Sequence, residues 1–177
     1  MKRLSSILGK CVVIIFMLVG TPSLSSCLVT YKLNGASIDY NVIKTISIEN
    51  FTNRAAYQWG PMASMFNNSI SDVYNKQTKL RQVKKEGDLQ LSGEITSYDQ
   101  INKSVSADGY SSMVQLKMTV KVKFVNSKHH DDDFEKSFTS AREYDSSQQL
   151  AAVQEQLVQE MIDDIVDQVF NATVANW

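Results

Sequence analysis

Only two cysteines and two prolines occur in the 177 residues, with seven glycines. Two cysteines cannot build a disulfide-rich scaffold or a four-cysteine zinc site. So little glycine and proline excludes collagen-like, fibrous and Gly/Pro low-complexity chains. Neither charge sign is in excess: 18 Lys and Arg stand against 19 Asp and Glu, a net charge of −1. The strongly basic footprint of a dedicated nucleic-acid binder is missing. Histidine is scarce as well, and both copies, His129 and His130, fall in one short stretch. That leaves a Ser-His-Asp arrangement little to work with, and no third histidine to complete a zinc site. There is no glycine-rich phosphate loop. These absences argue against an enzyme and imply no cofactor. No apolar run approaches the roughly 20 residues that span a bilayer as a helix. What is present, 43% hydrophobic and 21% charged residues, is the composition of one globular domain.

The first residues carry a targeting pattern. Residues 1–26 hold Lys2, Arg3 and Lys10 and no acidic residue. A nine-residue apolar run, Cys11 to Val19, ends at Gly20-Thr21-Pro22. A basic start, a short apolar core and a small-residue cleavage region describe a secretory signal peptide. The stretch Leu24-Ser25-Ser26-Cys27 resembles the lipobox of bacterial lipoproteins. The resemblance implies a diacylglyceryl thioether on Cys27, cleavage before it, and acylation (palmitate-like) of the freed amine. Cys11 would leave with the signal, so the mature chain would have no free thiol and no intrachain disulfide. Two or three acyl chains anchor stably where one does not, at ~0.8 kcal/mol per buried CH₂. No aspartate follows Cys27 and no acidic run comes after it. The expected place is therefore the outer membrane, on its periplasmic side. Residues 1–26 are read as signal, 27–41 as lipidated tether, and 42–177 as a single domain.

Charge is uneven along the mature chain. Residues 27–127 carry 12 positive and 8 negative side chains, whereas residues 128–177 carry 3 positive and 11 negative. Such segregation suggests two faces with different surroundings.

Periodicity then divides the chain. Val42 to Glu49 alternates through Val42, Lys44, Ile46 and Ile48, with Ile43 opposite, and predicts a strand. Phe51 to Gly60 reads as a loop. Pro61 suits a first helical position, and Met62, Met65, Phe66, Ile70, Val73 and Tyr74 then fall at helical spacing. Leu80 to Val83 reads as the start of an edge segment. Leu89, Leu91, Gly93, Ile95 and Ser97 share one side of a second strand, with Gly93 marking a bulge or a close packing contact. Asn102 to Gly109 reads as a polar loop. The clearest strand has Val114, Leu116, Met118, Val120, Val122 and Phe124 on one face. Residues 126–133 form a hairpin loop, and Phe134, Phe138 and Tyr144 mark a more polar fourth strand. Ser146-Ser147-Gln148-Gln149 reads as a capping box. The helix behind it has an apolar stripe from Leu150 to Phe170. Its other face is acidic, with Glu155, Glu160, Asp163, Asp164 and Asp167. The order β-α-β-β-β-α predicts an α+β two-layer sandwich. A mixed four-stranded sheet would carry both helices on one face.

Two clusters are candidates for function. His129-His130-Asp131-Asp132-Asp133 is dense in metal-type ligands, but adjacent residues on an extended chain point apart, and a solvated hairpin tip fits better. On the polar side of the clearest strand, Lys117, Lys121 and Lys123 line one ribbon. Such a row suits phosphate or carboxylate groups, and equally a solubilising strand face.

From Ala36 onward the chain resembles the LptE family of lipopolysaccharide-assembly lipoproteins, particularly its Bacteroidota branch. The stretches that carry the likeness are Gly35-Ala36-Ser37-Ile38, Lys44-Thr45-Ile46-Ser47-Ile48 and Phe51-Thr52-Asn53-Arg54-Ala55. Gly87 to Ile95, Val120 to Phe124, Tyr144 to Gln148, Phe170-Asn171 and Asn176-Trp177 complete it. The resemblance implies a mixed sheet packed with two helices. It also implies a protein that sits in the lumen of the LptD β-barrel, helps assemble it, and helps lipopolysaccharide reach the outer leaflet. The family's lipopolysaccharide-binding positions do not match residue by residue, so Lys117, Lys121 and Lys123 are candidates from chemistry alone. The alternative is a lipoprotein that activates another envelope machine, such as a peptidoglycan synthase. About 14 residues separate Cys27 from the first strand, a reach of ~50 Å at most. That favours a partner close to the membrane.

Overall fold

The computed structural model describes residues 38–105 and 111–174, and the side chains of 104, 105, 111 and 112 are left aside. Cys27, the signal segment, most of the tether, residues 106–110 around the end of the expected polar loop and Asn176-Trp177 lie outside the described residues.

A six-stranded sheet carries two helices. The elements are β1 (Thr45–Ile48), β2 (Thr52–Asn53), α1 (Met62–Gln77), β3 (Arg81–Val83), β4 (Leu89–Val105), β5 (Ser111–Asn126), a 3₁₀ turn (His130–Asp132), β6 (Phe134–Asp145) and α2 (Leu150–Thr173). The strand order is β3-β1-β4-β5-β6, with β2 continuing the β1 row along β4. β1 runs parallel to both β3 and β4, and β4, β5 and β6 are antiparallel neighbours. The class predicted from sequence is the one observed, with two more strands than the four expected. Both additions, β2 and β3, are two or three residues long, too short for an alternation to show.

β5 sets the layering. Leu116, Met118, Val120 and Val122 are fully buried, while Lys117, Lys121 and Lys123 lie on the opposite face. α1 turns Met62, Phe66, Ile70 and Tyr74 inward, and α2 turns Val158, Met161, Ile162, Ile165, Val166 and Val169 inward. Both helices share one core with the buried face of the sheet. Tyr74 and Phe170 meet edge-on, 5.4 Å between ring centroids. Burial holds the Tyr74 hydroxyl well above the usual phenol range, only partly offset by its bond to Thr173.

Four local expectations are corrected. First, β4 and β5 are longer than the alternation implied, and Asn102 to Val105 are strand rather than loop. Second, Ser97 does not share a face with Ile95. The β4–β5 register slips between Ile95 and Ser97, so Ile95 and Tyr98, three residues apart, both point into the core. An extra residue in a strand does this, because it shifts a period of two by one. Tyr98 then accepts a hydrogen bond from the buried Gln154 of α2 at 3.1 Å. Third, the first strand starts at Thr45, after a turn over residues 40–42, so Val42 is exposed and Ile43 is buried. Fourth, no side chain caps α2. The Asp145 carboxylate instead accepts from the Ser147 amide at 2.8 Å, closing a turn before the helix begins. Ile38 and Tyr40, read as tether, already pack on the core.

Asp88 ties three segments together at one end of the sheet. Its carboxylate accepts from the amides of Lys44 and Thr45 at 3.0 Å and from the Thr45 hydroxyl at 2.9 Å. Lys128 adds an ion pair at 3.2 Å. These bonds, led by the Lys44 amide, lower its pKa from 3.8 to about 2. A carboxylate stabilised in the fold contributes stability above its unfolded pKa and loses it as pH falls through the folded one. That contribution, about 2 kcal/mol by linkage, should vanish between pH 3.8 and about 2. Asp88→Asn should cost about 1–2 kcal/mol at neutral pH and flatten the stability profile across that acid window. Denaturant unfolding as a function of pH reads both. Equal profiles for the two proteins would contradict the assignment.

Candidate functional site

The sheet face opposite the helices is open, and its centre is the lysine row read from sequence. Lys121 and Lys123 are exposed, and Lys117 is half-buried. All three stand on β5, flanked by β4 and β6. The neighbours change what the row is. Asp99 of β4 lies directly opposite Lys117, and Glu94 lies opposite Lys121. On the other side Glu135 of β6 lies opposite Lys123 and forms an ion pair with Lys121. That hydrogen bond, with the attraction of the charges, raises the Lys121 pKa and lowers that of Glu135. Gly93, Glu94, Lys121, Lys123 and Glu135 line a shallow depression of about 250 Å³ on this face. The row is therefore a mixed band, three cations among three carboxylates, in which charge of either sign is locally matched. Exposed pairs of this kind are each worth at most ~1 kcal/mol and are screened by salt. A polyanion bound here would have to displace Glu135 from Lys121. The acidic partners sit on strands whose register no pattern in the sequence gives, so this matching was not legible beforehand.

The acidic face of α2 is also partly matched. Arg142 of β6 bonds Glu160 at 3.0 Å and Asp164 at 2.7 Å, and the Ser140 hydroxyl donates to Asp164 at 2.9 Å. The Asp164 carboxyl is held below its usual range, first by Arg142 and then by Ser140. Arg142 thus clips α2 to the sheet edge, and Glu155, Asp163 and Asp167 remain exposed.

The histidine-aspartate loop closes a turn. Asp133 accepts from the Asn126 amide at 2.7 Å and pairs with the His130 ring at 3.0 Å. Those two bonds, the backbone one first, lower its pKa. Among the described residues no group of three or more His, Cys, Asp and Glu is placed to hold a metal ion. None of their helices is long and apolar enough to cross a membrane.

The pattern of a family described as lipopolysaccharide assembly, LptE, matches residues 43–173. Among solved structures, rare lipoprotein B from Shewanella oneidensis superposes with a TM-score of 0.55 at 14% identity, covering 73% of this chain and 92% of its own. A minor lipoprotein from Acinetobacter baumannii gives 0.51 at 16%, covering 76% and 95%. A hypothetical protein from Chlamydia trachomatis gives 0.53 at 10%, covering 76% and 99%. At these identities the likeness is one of fold. A search of curated proteins returned no match.

Proposed function

Since the chain belongs to the lipopolysaccharide-assembly family LptE, we propose that it is a lipid-anchored outer-membrane protein that plugs an LptD-like β-barrel and helps deliver lipopolysaccharide to the outer leaflet. It is an assembly protein and not an enzyme. The observation that carries the reading is the family match, which extends from residue 43 to 173 and so takes in both helices and β1 to β6. The open face of the sheet supports it. A domain lodged in a wet lumen needs a face of matched charge that meets a polar wall without a large desolvation cost, and the mixed band of β4, β5 and β6 is such a face.

Direct lipopolysaccharide contact at Lys117, Lys121 and Lys123 is the finer part of the proposal. The three ammonium groups follow one strand, with neighbouring same-face positions ~7 Å apart, a spacing that suits a head group with several phosphates or carboxylates. Affinity purification of the full protein in detergent tests both parts. A barrel protein should co-purify, together with lipopolysaccharide. Changing the three lysines to glutamine should lower the lipopolysaccharide recovered at low salt while the barrel is retained, because these side chains face away from the core. A synthase in place of the barrel would overturn the plug role. Undiminished lipopolysaccharide on a well-folded triple variant would reduce the row to a solubilising face.

A further inference from the structure

A second group of exposed cations lies away from the lysine row. Lys44, Lys79, Arg81, Lys84 and Lys85 are all exposed, and none makes an ion pair among the described residues. They come together at one edge of the sheet. β3 is its terminal strand, and Arg81 there is paired with Thr45 of β1, its amide bonded to the Lys44 carbonyl at 2.9 Å. Lys84 and Lys85 follow β3 directly. The nearby Asp88 offers them little, since its carboxylate is occupied by Lys44 and Thr45 amides and by Lys128. Tyr40, near the start of the described chain, lies beside the same edge. Lys79 stands over the Tyr40 ring, 5.9 Å from its centroid, and its amide reaches the Tyr40 hydroxyl.

From these positions we infer that the β3 edge lies against anionic phospholipid headgroups of the leaflet that holds the anchor. The inference rests on acylation of Cys27. Ten residues separate Cys27 from Ile38, a span of at most ~40 Å, and Tyr40, two residues further on, lies beside Lys79. An anchored chain therefore presents this edge to the membrane at high local concentration. Lysine and arginine near an anionic surface gain attraction that fades over a Debye length of ~8 Å. Five of them on one rim orient the domain, where one would not. Lysines also keep edge strands from pairing with other chains. That role by itself would be indifferent to lipid charge, which gives the test its discriminating power.

The lipidated full protein is placed in nanodiscs of phosphatidylcholine, with and without phosphatidylglycerol, and amide hydrogen exchange is followed over residues 79–86. Exchange there should slow about three- to tenfold in the anionic discs and recover in high salt. Lys79→Gln, Arg81→Gln, Lys84→Gln and Lys85→Gln together should abolish the slowing while β5 keeps its protection. Equal exchange in the two discs, or slowing that salt does not reverse, overturns the proposal. Slowing that appears only when lipopolysaccharide is added assigns the edge to that ligand and also overturns it. The intact mass of the same sample reports the acyl groups. An unacylated protein removes the anchor and this reading with it, whereas an acylated protein without slowing refutes the edge contact alone.

Discussion

The Cys27→Ser protein should appear as an unprocessed precursor or in the soluble fraction, with the wild type in the membrane fraction. The thioether needs the sulfur, and serine offers none at that position. Two acyl chains bury enough methylene to hold a protein by on the order of 20 kcal/mol, at ~0.8 kcal/mol per CH₂. No helix in the described part is long and apolar enough to cross a bilayer. The cations of the β3 edge add only weak, salt-sensitive attraction, so a residual association of the variant should wash off in salt. Fractionation in high salt, with electrophoretic mobility as the readout of acylation, decides the matter. A variant with unchanged mobility that stays in the membrane after the wash would remove the anchor from this account.

Gly93→Ala should destabilise the domain severely for a change of one methyl group. A Cβ at that position would sit 2.2 Å from the Lys121 carbonyl oxygen and 2.5 Å from the Phe51 ring. The ring cannot swing away freely. Phe51 is 1% exposed, packs on Phe66 at 4.9 Å, and has both its amide and its carbonyl bonded to the Asn67 side chain of α1. The carbonyl belongs to the β4–β5 ladder and moves only if the ladder parts. Overpacking of this kind costs about 3 kcal/mol, which for a domain of this size lowers the melting temperature by about 10 °C. Pairing the change with Phe51→Leu should restore part of the loss by making room on the ring side, and no more than part, because the carbonyl contact remains. Thermal unfolding followed by circular dichroism tests the series. A Gly93→Ala protein that melts with the wild type would mean the strand yields where the ladder says it cannot.

Gly93 also shows how far the pattern could be read. An isolated glycine in an alternating strand announces either a bulge or a close approach. The structure has the approach at Gly93 and the bulge a few residues later, between Ile95 and Ser97. Nothing local distinguishes them, because a bulge is a mismatch between two strands and becomes visible only when the partner is known. The lysine row has the same history. Its face was legible from the β5 alternation, since successive residues of a strand must point opposite ways. Its electrostatics were not, because Asp99, Glu94 and Glu135 reach it only through strand pairings, the most distant of which sets Glu94 against Lys121, 27 positions later in the chain.

The helices and β5 were determined by the sequence alone, since a period of 3.6 over 16 and 24 residues, or of 2 over a long strand, leaves one economical way to bury the apolar side. The targeting pattern around Cys27 is of the same local kind. Tertiary structure decided everything that depends on two segments meeting. It put β1 between β3 and β4, closed Asp88 on the start of β1, clipped α2 to β6 through Arg142, and set carboxylates across from one row of lysines while leaving the β3 edge without ion pairs. The physical reason is range. Backbone preference and side-chain periodicity act over a few residues and can be read in order, whereas hydrogen-bond satisfaction and charge pairing are settled between groups brought together only when the core closes.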